Sequence, residues 1–155
     1  MNKKYWLFKA EPHIYGVDHL NAAPEKIGRW DGIRNYQARN FLRDQVAIDD
    51  EVFIYHSSCK QVGIVGTAKV IKAAYPDPTQ FNLESDYYDP KSTPENPRWV
   101  SVDIQLTHTF PRLITLAEIK AQPALENMVL VKQGRLSTQP VTKDEWKFIL
   151  KMILK

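Results

Sequence analysis

Residues 62–71, VGIVGTAKVI, are an apolar, β-branched run of strand length interrupted by glycines at 63 and 66. A flat strand gains nothing from two glycines three residues apart, because each removes a packing side chain. A strand that bends, bulges or lets a neighbouring backbone come close does need them. Closing a sheet into a small barrel requires such a bend, so this stretch predicts a curved sheet. Working outward, Tyr5–Phe8 and Glu51–Tyr55 are aromatic or β-branched runs of the same length. Val100, Val102, Ile104 and Leu106 alternate with Ser101, Asp103, Gln105 and Thr107, the period of a strand with one buried and one wet face.

Helix signals lie between and after these strands. Thr142 with Glu145 forms a capping box, followed by Trp146, Ile149, Leu150 and Ile153 at i, i+3, i+4, i+7 spacing. Thr115 with Glu118 repeats the box before a short helix through Lys120. A third helix starts near Asn35, with Ala38, Phe41 and Leu42 on an apolar stripe and Arg39 and Arg43 on an exposed one. Residues 75–97 carry Pro76, Pro78, Pro90, Pro94 and Pro97 and read as a long excursion without regular structure. The short apolar run before Gln133 reads as a strand. The predicted order is strand, helix, helix, strand, strand, long loop, strand, short helix, irregular strand, helix: an α+β barrel with helices packed at its ends.

Length and composition set the class. At 155 residues, 43% hydrophobic and 25% charged, the chain reads as one globular domain, residues 1–155. Cys59 is the single cysteine, which excludes an intramolecular disulfide and a thiolate zinc site and fits a reducing cytoplasm. The apolar start stops at Lys9 and Glu11, and Phe148–Leu154 is broken by Lys151, so no membrane span is expected. Net charge is +3, with Lys26, Arg29, Arg34, Arg39 and Arg43 clustered early and a lysine-rich tail ending at Lys155. These residues form either a basic face that suits a polyanion or a pair of ordinary solvated faces. The four histidines show no ligand spacing, and no glycine-rich phosphate loop is present, so neither metal nor cofactor is expected.

Four clusters carry candidate chemistry. WDGIRNYQARN, residues 30–40, places Trp, Arg and Asn on a turn opening a helix; such a turn either projects Trp30 outward beside amide and guanidinium donors, the equipment for holding a flipped base, or leaves Trp30 in the core with Asn35 serving only as a helix cap. Tyr55-His56-Ser57-Ser58 ends an apolar strand in polar groups. An enzyme reading makes Ser57 or Cys59 a nucleophile with His56 as base, but neighbours on a strand point apart and no orienting third residue is evident. In QGRLSTQPV, residues 133–141, Pro140 excludes a central ladder position, and Arg135 and Gln139 face either a ligand or water. Lys9 and Glu11 read as an ion pair or as ligand contacts near the barrel mouth.

Seven stretches, YWLFKAEP (5–12), WDGIRNYQARN (30–40), FIYHSS (53–58), GIVG (63–66), AYPDP (74–78), YDPKS (88–92) and LSTQPV (136–141), together resemble the EVE domain family of the PUA-like superfamily. The resemblance spans nearly the whole chain. It implies a PUA-like β-pseudo-barrel surrounded by helices, related in shape to the YTH readers of methylated RNA. It also implies a non-enzymatic reader of modified nucleobases, with modified cytosine in DNA flipped into an aromatic pocket. On this resemblance Trp30 is the stacking platform, Asn35 and Ser57 the base-edge partners, and Tyr55, His56 and Pro140 nearby walls. Lys9, Arg34, Arg39, Arg43, Arg135 and Gln139 are expected at phosphates or the pocket rim. Ala10 stands where the family often has serine, so no hydroxyl contact is expected there. Nuclear members often carry a basic N-terminal extension that this chain lacks, and a bacterial cytoplasmic protein is expected. The alternative readings are an RNA-binding PUA-like module and, behind it, a small-molecule hydrolase or transferase.

Overall fold

The computed structural model describes residues 3–153; Leu154 and Lys155, which enter the readings of the C-terminus, lie outside them. The elements run β1 (Tyr5–Ala10), α1 (Val17–Ala22), β2 (Ile27–Trp30), α2 (Tyr36–Asp44), β3 (Glu51–His56), β4 (Gly63–Pro76), β5 (Val100–Thr115), α3 (Leu116–Lys120), α4 (Val129–Lys132), β6 (Thr138–Val141) and α5 (Lys143–Ile153). The strands form one mixed sheet in the order β2-β5-β4-β3-β1-β6, with β1 parallel to β3 and the other neighbours antiparallel. This is the expected α+β class.

The glycines act where the sequence placed the bend. Pairing skips Val65 on both sides: Tyr55 faces Ile64 and Ile54 faces Gly66, while Ile64 faces Ile114 and Gly66 faces Thr109. A Cβ at Gly63 would run into the Ile114 carbonyl, and one at Gly66 into the His108 carbonyl. Only glycine permits that approach. Pro111, inside β5, falls in the stretch that the bulge leaves without ladder partners, where a missing N–H does no harm. The bend curls the sheet until β2, at one edge, meets β1, next to the other edge. Trp30 on β2 and Phe8 on β1, from opposite sides of the strand order, bring their ring centroids to 5.8 Å. The result is a pseudo-barrel.

Alternation then sorts the side chains into two cores. Trp6, Phe8, Val52, Ile54, Val70, Val102 and Ile104 fill the concave side with Ala38 and Leu42 of α2. Leu7, Phe53, Ile64 and Ile114 face the convex side under Ile119 of α3 and Trp146 and Ile149 of α5. Trp146 stacks on Phe53 at 3.9 Å between centroids, and the Thr142–Glu145 box closes reciprocally with bonds of 3.0 and 3.1 Å. Each such large side chain, fully buried, contributes roughly 1.5–3 kcal/mol. Because β1 and β3 are buried on both faces, their sequences read as continuous apolar runs rather than alternating ones.

Two sequence expectations are corrected. Between β1 and β3 the chain forms helix, strand, helix, not two helices. The extra strand, β2, has only four residues and takes its ladder from Val102–Gln105 on β5, a long-range pairing with no local signal. The apolar run before Gln133 is the helical turn α4, because Leu130 is drawn into the convex core. Pro140 does sit on an edge strand, β6, opposite Trp6. The excursion after β4 has one 3-10 turn, Pro78–Phe81, but is firmly tied. Buried Gln80 donates to the Asp77 and Trp99 carbonyls at 2.7 and 2.8 Å, and its Oε1 accepts from Ser92 and from the Arg98 and Trp99 amides.

Candidate functional site

β1 and β3 run parallel, so their C-terminal ends, Lys9-Ala10 and the residues just past His56, arrive at the same mouth of the barrel. The end of β2, the turn into α2 and the loop before β6 arrive there too. Between them lies a cavity of about 910 Å³, within the range of roughly 300–1,000 Å³ for ligand pockets. Of the residues expected from the sequence, Trp30, Asn35, Ser57, Lys9, Arg34 and Arg135 line it. Tyr55, His56, Pro140, Arg39, Arg43 and Gln139 do not.

Trp30 does not project outward. It is 4% exposed, with Phe8 at 5.8 Å and Tyr15 at 6.2 Å, edge-on, around its indole. The bent sheet turns the end of β2 inward, so the ring forms part of the cavity wall and shows it only a narrow surface. Asn35 caps α2, its Oδ1 accepting from the Ala38 N–H at 2.9 Å. Ser57 bonds back to Ala10, its amide at 2.8 Å and its hydroxyl at 3.4 Å from the carbonyl. Ser58 beside it holds φ +54°, a left-handed conformation uncommon outside glycine and concentrated at functional sites. Lys9 does not pair with Glu11. Its ammonium donates to the Gly134 carbonyl and lies 5.4 Å from the Tyr55 ring, so β1 tethers the loop before β6, and burial lowers the Lys9 pKa.

The arginines are mostly engaged inside the protein. Arg34 donates to Asp77 at 3.0 Å, to Thr79 at 3.0 Å, and to the carbonyls of Ile33 and Tyr87 at 2.9 and 2.7 Å. Its charge therefore clamps the excursion onto the turn of Trp30. Burial alone would raise the Asp77 pKa, but bonds from Thr79, the Gly32 N–H and Arg34 outweigh it and hold the carboxyl below its usual range. Arg29 pairs with Asp31 and Arg43 with Asp44, both at 2.8 Å. The basic cluster of residues 26–43 is thus partly neutralised, Arg29 and Arg43 by acids one or two positions along the chain and Arg34 by Asp77 from 43 positions away. Arg135 lines the cavity exposed and makes no ion pair among the described residues.

The remaining candidates have structural partners. His56 Nε2 accepts from the Val17 N–H at 3.1 Å, capping α1, and burial first of all lowers its pKa. Cys59 donates to the Gln61 carbonyl at 3.3 Å. The lone pair that would activate a nucleophile is engaged elsewhere. Tyr55 belongs to the convex core, and Gln139 is fully buried, holding the Gln133 and Leu136 carbonyls.

Sequence reading missed Tyr15, Tyr87 and Asp31 on the cavity wall. Tyr87 arrives from the excursion and lies over Gly32, whose φ is +78°; a Cβ there would come within 2.8 Å of the phenol ring. Burial, reinforced by Asp31, raises both phenol pKa values, so Tyr15 and Tyr87 remain protonated donors at neutral pH. The one available signal was Gly32 itself, a glycine in a motif otherwise rich in large side chains.

The EVE domain family model matches residues 4–152. Thymocyte nuclear protein 1 of Mus musculus is 44% identical over 165 residues, covering 96% of this chain and 73% of that protein. The crystal structure of human THYN1 protein in complex with 5-methylcytosine-containing DNA superposes with a TM-score of 0.92 at 41% identity, covering 99% of each chain. The YTH domain of Zygosaccharomyces rouxii MRB1 protein, in complex with N6-methyladenosine RNA, has a TM-score of 0.54 at 14% identity, covers 98% of this chain and 87% of its own, and shares the fold alone.

Proposed function

This chain belongs to the EVE domain family, and from that premise we propose that it binds DNA containing modified cytosine, without catalysing a reaction, by admitting one flipped base into the cavity at the barrel mouth. The observation that carries the proposal is the cavity itself: about 910 Å³, walled by Trp30, Tyr15 and Tyr87 and furnished with Asp31, Asn35 and Ser57. The relative in complex with 5-methylcytosine DNA shares this fold from end to end.

Trp30, held by Phe8 and Tyr15, serves as a fixed, narrow part of the wall rather than a free platform, with the half-buried rings of Tyr15 and Tyr87 beside it. Stacking contributes about 1–3 kcal/mol per base, comparable to the few kcal/mol needed to unstack and flip one. Phosphate contacts tip the balance, and Lys9 and Arg135 are the cations placed for it, since Arg34 is engaged by Asp77. Cytosine presents an amino donor beside two acceptors. Asp31 and Glu11 suit the first; the Asn35 amide, its oxygen already used as a cap, and the Ser57 hydroxyl, on leaving its 3.4 Å bond to the Ala10 carbonyl, suit the others. A 5-methyl group adds roughly 0.8 kcal/mol when buried, about fourfold in affinity, so discrimination is modest unless the pocket is tight. Engagement of His56 by Val17 supports a non-catalytic role. Cytoplasmic residence, expected from the lone cysteine, belongs to the same proposal.

Titration of labelled oligonucleotides tests it. Wild type is expected to bind 5-methylcytosine DNA above plain cytosine DNA and above RNA of matched sequence, and Trp30→Ala to abolish the difference. Equal affinity for both bases, unmoved by the substitution, would leave a generic polyanion binder. Preference for the RNA would favour the alternative partner, read through 2′-hydroxyl contacts.

A further inference from the structure

Tyr36 opens α2, one residue past the cavity wall, and is 50% exposed while belonging to neither core. Its ring stacks on Trp99 at 4.8 Å with 28° between planes. Trp99 in turn faces the Arg34 guanidinium at 5.4 Å, and Arg34 lies 5.5 Å from the ring of Tyr87 on the cavity wall. A continuous series of flat groups therefore runs from the cavity to the surface and ends in an exposed phenol ring.

The open side of that ring can be located. Arg39 lies 4.7 Å from the centroid of Tyr36 and 6.0 Å from that of Trp99. With the two rings 4.8 Å apart, the angle at Tyr36 is too far from straight for Arg39 and Trp99 to sandwich the phenol ring, which stays 50% exposed. Arg98 reaches the Tyr36 hydroxyl at 3.5 Å, and Arg39 donates to the Arg98 carbonyl at 3.0 Å. Neither Arg39 nor Arg98 makes an ion pair among the described residues. An open aromatic face edged by two arginines offers stacking to a base and charge to its phosphate, the pairing used to hold single strands.

Resting on the base-reading proposal above, we infer that Tyr36, Arg39 and Arg98 form a second nucleotide platform, on which the base adjacent to the flipped one in the same DNA strand stacks. The platform holds that neighbour out of the duplex stack, so the protein engages at least two nucleotides and favours a single-stranded or locally opened strand over a firmly paired one.

The test is a cycle between protein and DNA. Single-stranded oligonucleotides carry 5-methylcytosine with the neighbour on one side or the other either intact or abasic, against wild type, Tyr36→Leu and Arg98→Gln. Leucine keeps an apolar cover on Trp99, which separates stacking from folding; Tyr36→Phe, retaining the ring, should bind as wild type. Tyr36→Leu is expected to lose about 5- to 150-fold in affinity for the intact strand, and that loss should vanish when the contacted neighbour is abasic. Arg98→Gln should make the salt dependence shallower. A loss of equal size on every strand, or none, overturns the platform. If wild type fails to separate 5-methylcytosine from cytosine and Trp30→Ala binds as well, the base-reading proposal falls and the platform with it. If those two results hold and only the coupling at Tyr36 is missing, the platform alone falls.

Discussion

Replacing Arg34 with alanine should destabilise the protein by about 3 kcal/mol. Asp77 is fully buried and the Arg34 side chain 22% exposed, so the substitution leaves a buried carboxylate without its cation. Removing one partner of a buried pair costs about 3–5 kcal/mol. The low end applies because the Gly32 amide and the Thr79 amide and hydroxyl still bond Asp77 at 2.8, 2.8 and 2.6 Å. For a chain of this size each kcal/mol moves Tm by about 2–4 °C. Urea denaturation followed by tryptophan fluorescence measures it directly, and a cycle with Asp77→Asn isolates the pair: the double variant should be about 1–3 kcal/mol more stable than the summed single effects. The pH dependence has a definite sign. The Asp77 carboxyl sits below its usual range, so its stabilisation is complete above the unfolded value near 3.9 and is lost as pH falls through the lower folded value. Without Arg34 a lowering contribution is gone while burial stays. The variant's Asp77 therefore protonates at higher pH, and the gap between wild type and variant should narrow below about pH 4. A cost under about 1 kcal/mol, additive single effects, or a gap independent of pH would refute the clamp.

His56 is held below its ordinary pKa chiefly by burial, so the unfolded chain binds the proton more readily; stability is present above about pH 6.5 and declines as pH falls through the window beneath it. His56→Gln keeps an acceptor for Val17 without the titration, and the slope of Tm between about pH 6.5 and 5 should flatten; an unchanged slope would show that other groups carry it. Gly32→Ala forces a left-handed residue against Tyr87 and should cost about 1–2 kcal/mol, with weaker base binding, by thermal melting and anisotropy. Arg135→Ala should lower affinity for cytosine and 5-methylcytosine DNA by the same factor and reduce the slope of log K against log salt by about 0.9 on duplex or 0.7 on single strands. A change confined to one base would instead make Arg135 part of base reading.

The sequence alone determined what short-range physics controls. The period of two in Val100–Leu106, the capping boxes at Thr115 and Thr142, the Asn35 cap and the bend at Gly63 and Gly66 each depend on residues within a few positions of one another, and each element lies where those patterns put it. They were sufficient for an α+β sheet that curls. The same patterns were silent about β2, whose ladder partner lies some 75 residues away, and they mistook α4 for a strand because a four-residue apolar run has no decisive period.

At the cavity the balance reverses. The family resemblance, not composition, gathered the candidates at one pocket, and of them Trp30, Asn35, Ser57, Lys9, Arg34 and Arg135 line the cavity while Tyr55, His56, Pro140, Arg39, Arg43 and Gln139 do not. Only the folded chain decided which of their polar groups are engaged. Arg34 meets Asp77 across 43 positions, His56 meets Val17 across 39, and Trp30 meets Phe8 from the far end of the sheet. A side chain's chemistry depends on what satisfies its charge, donors and ring faces. In a curled sheet those partners come from distant strands and loops, so the availability of each group is a property of the closure and not of the motif that contains it.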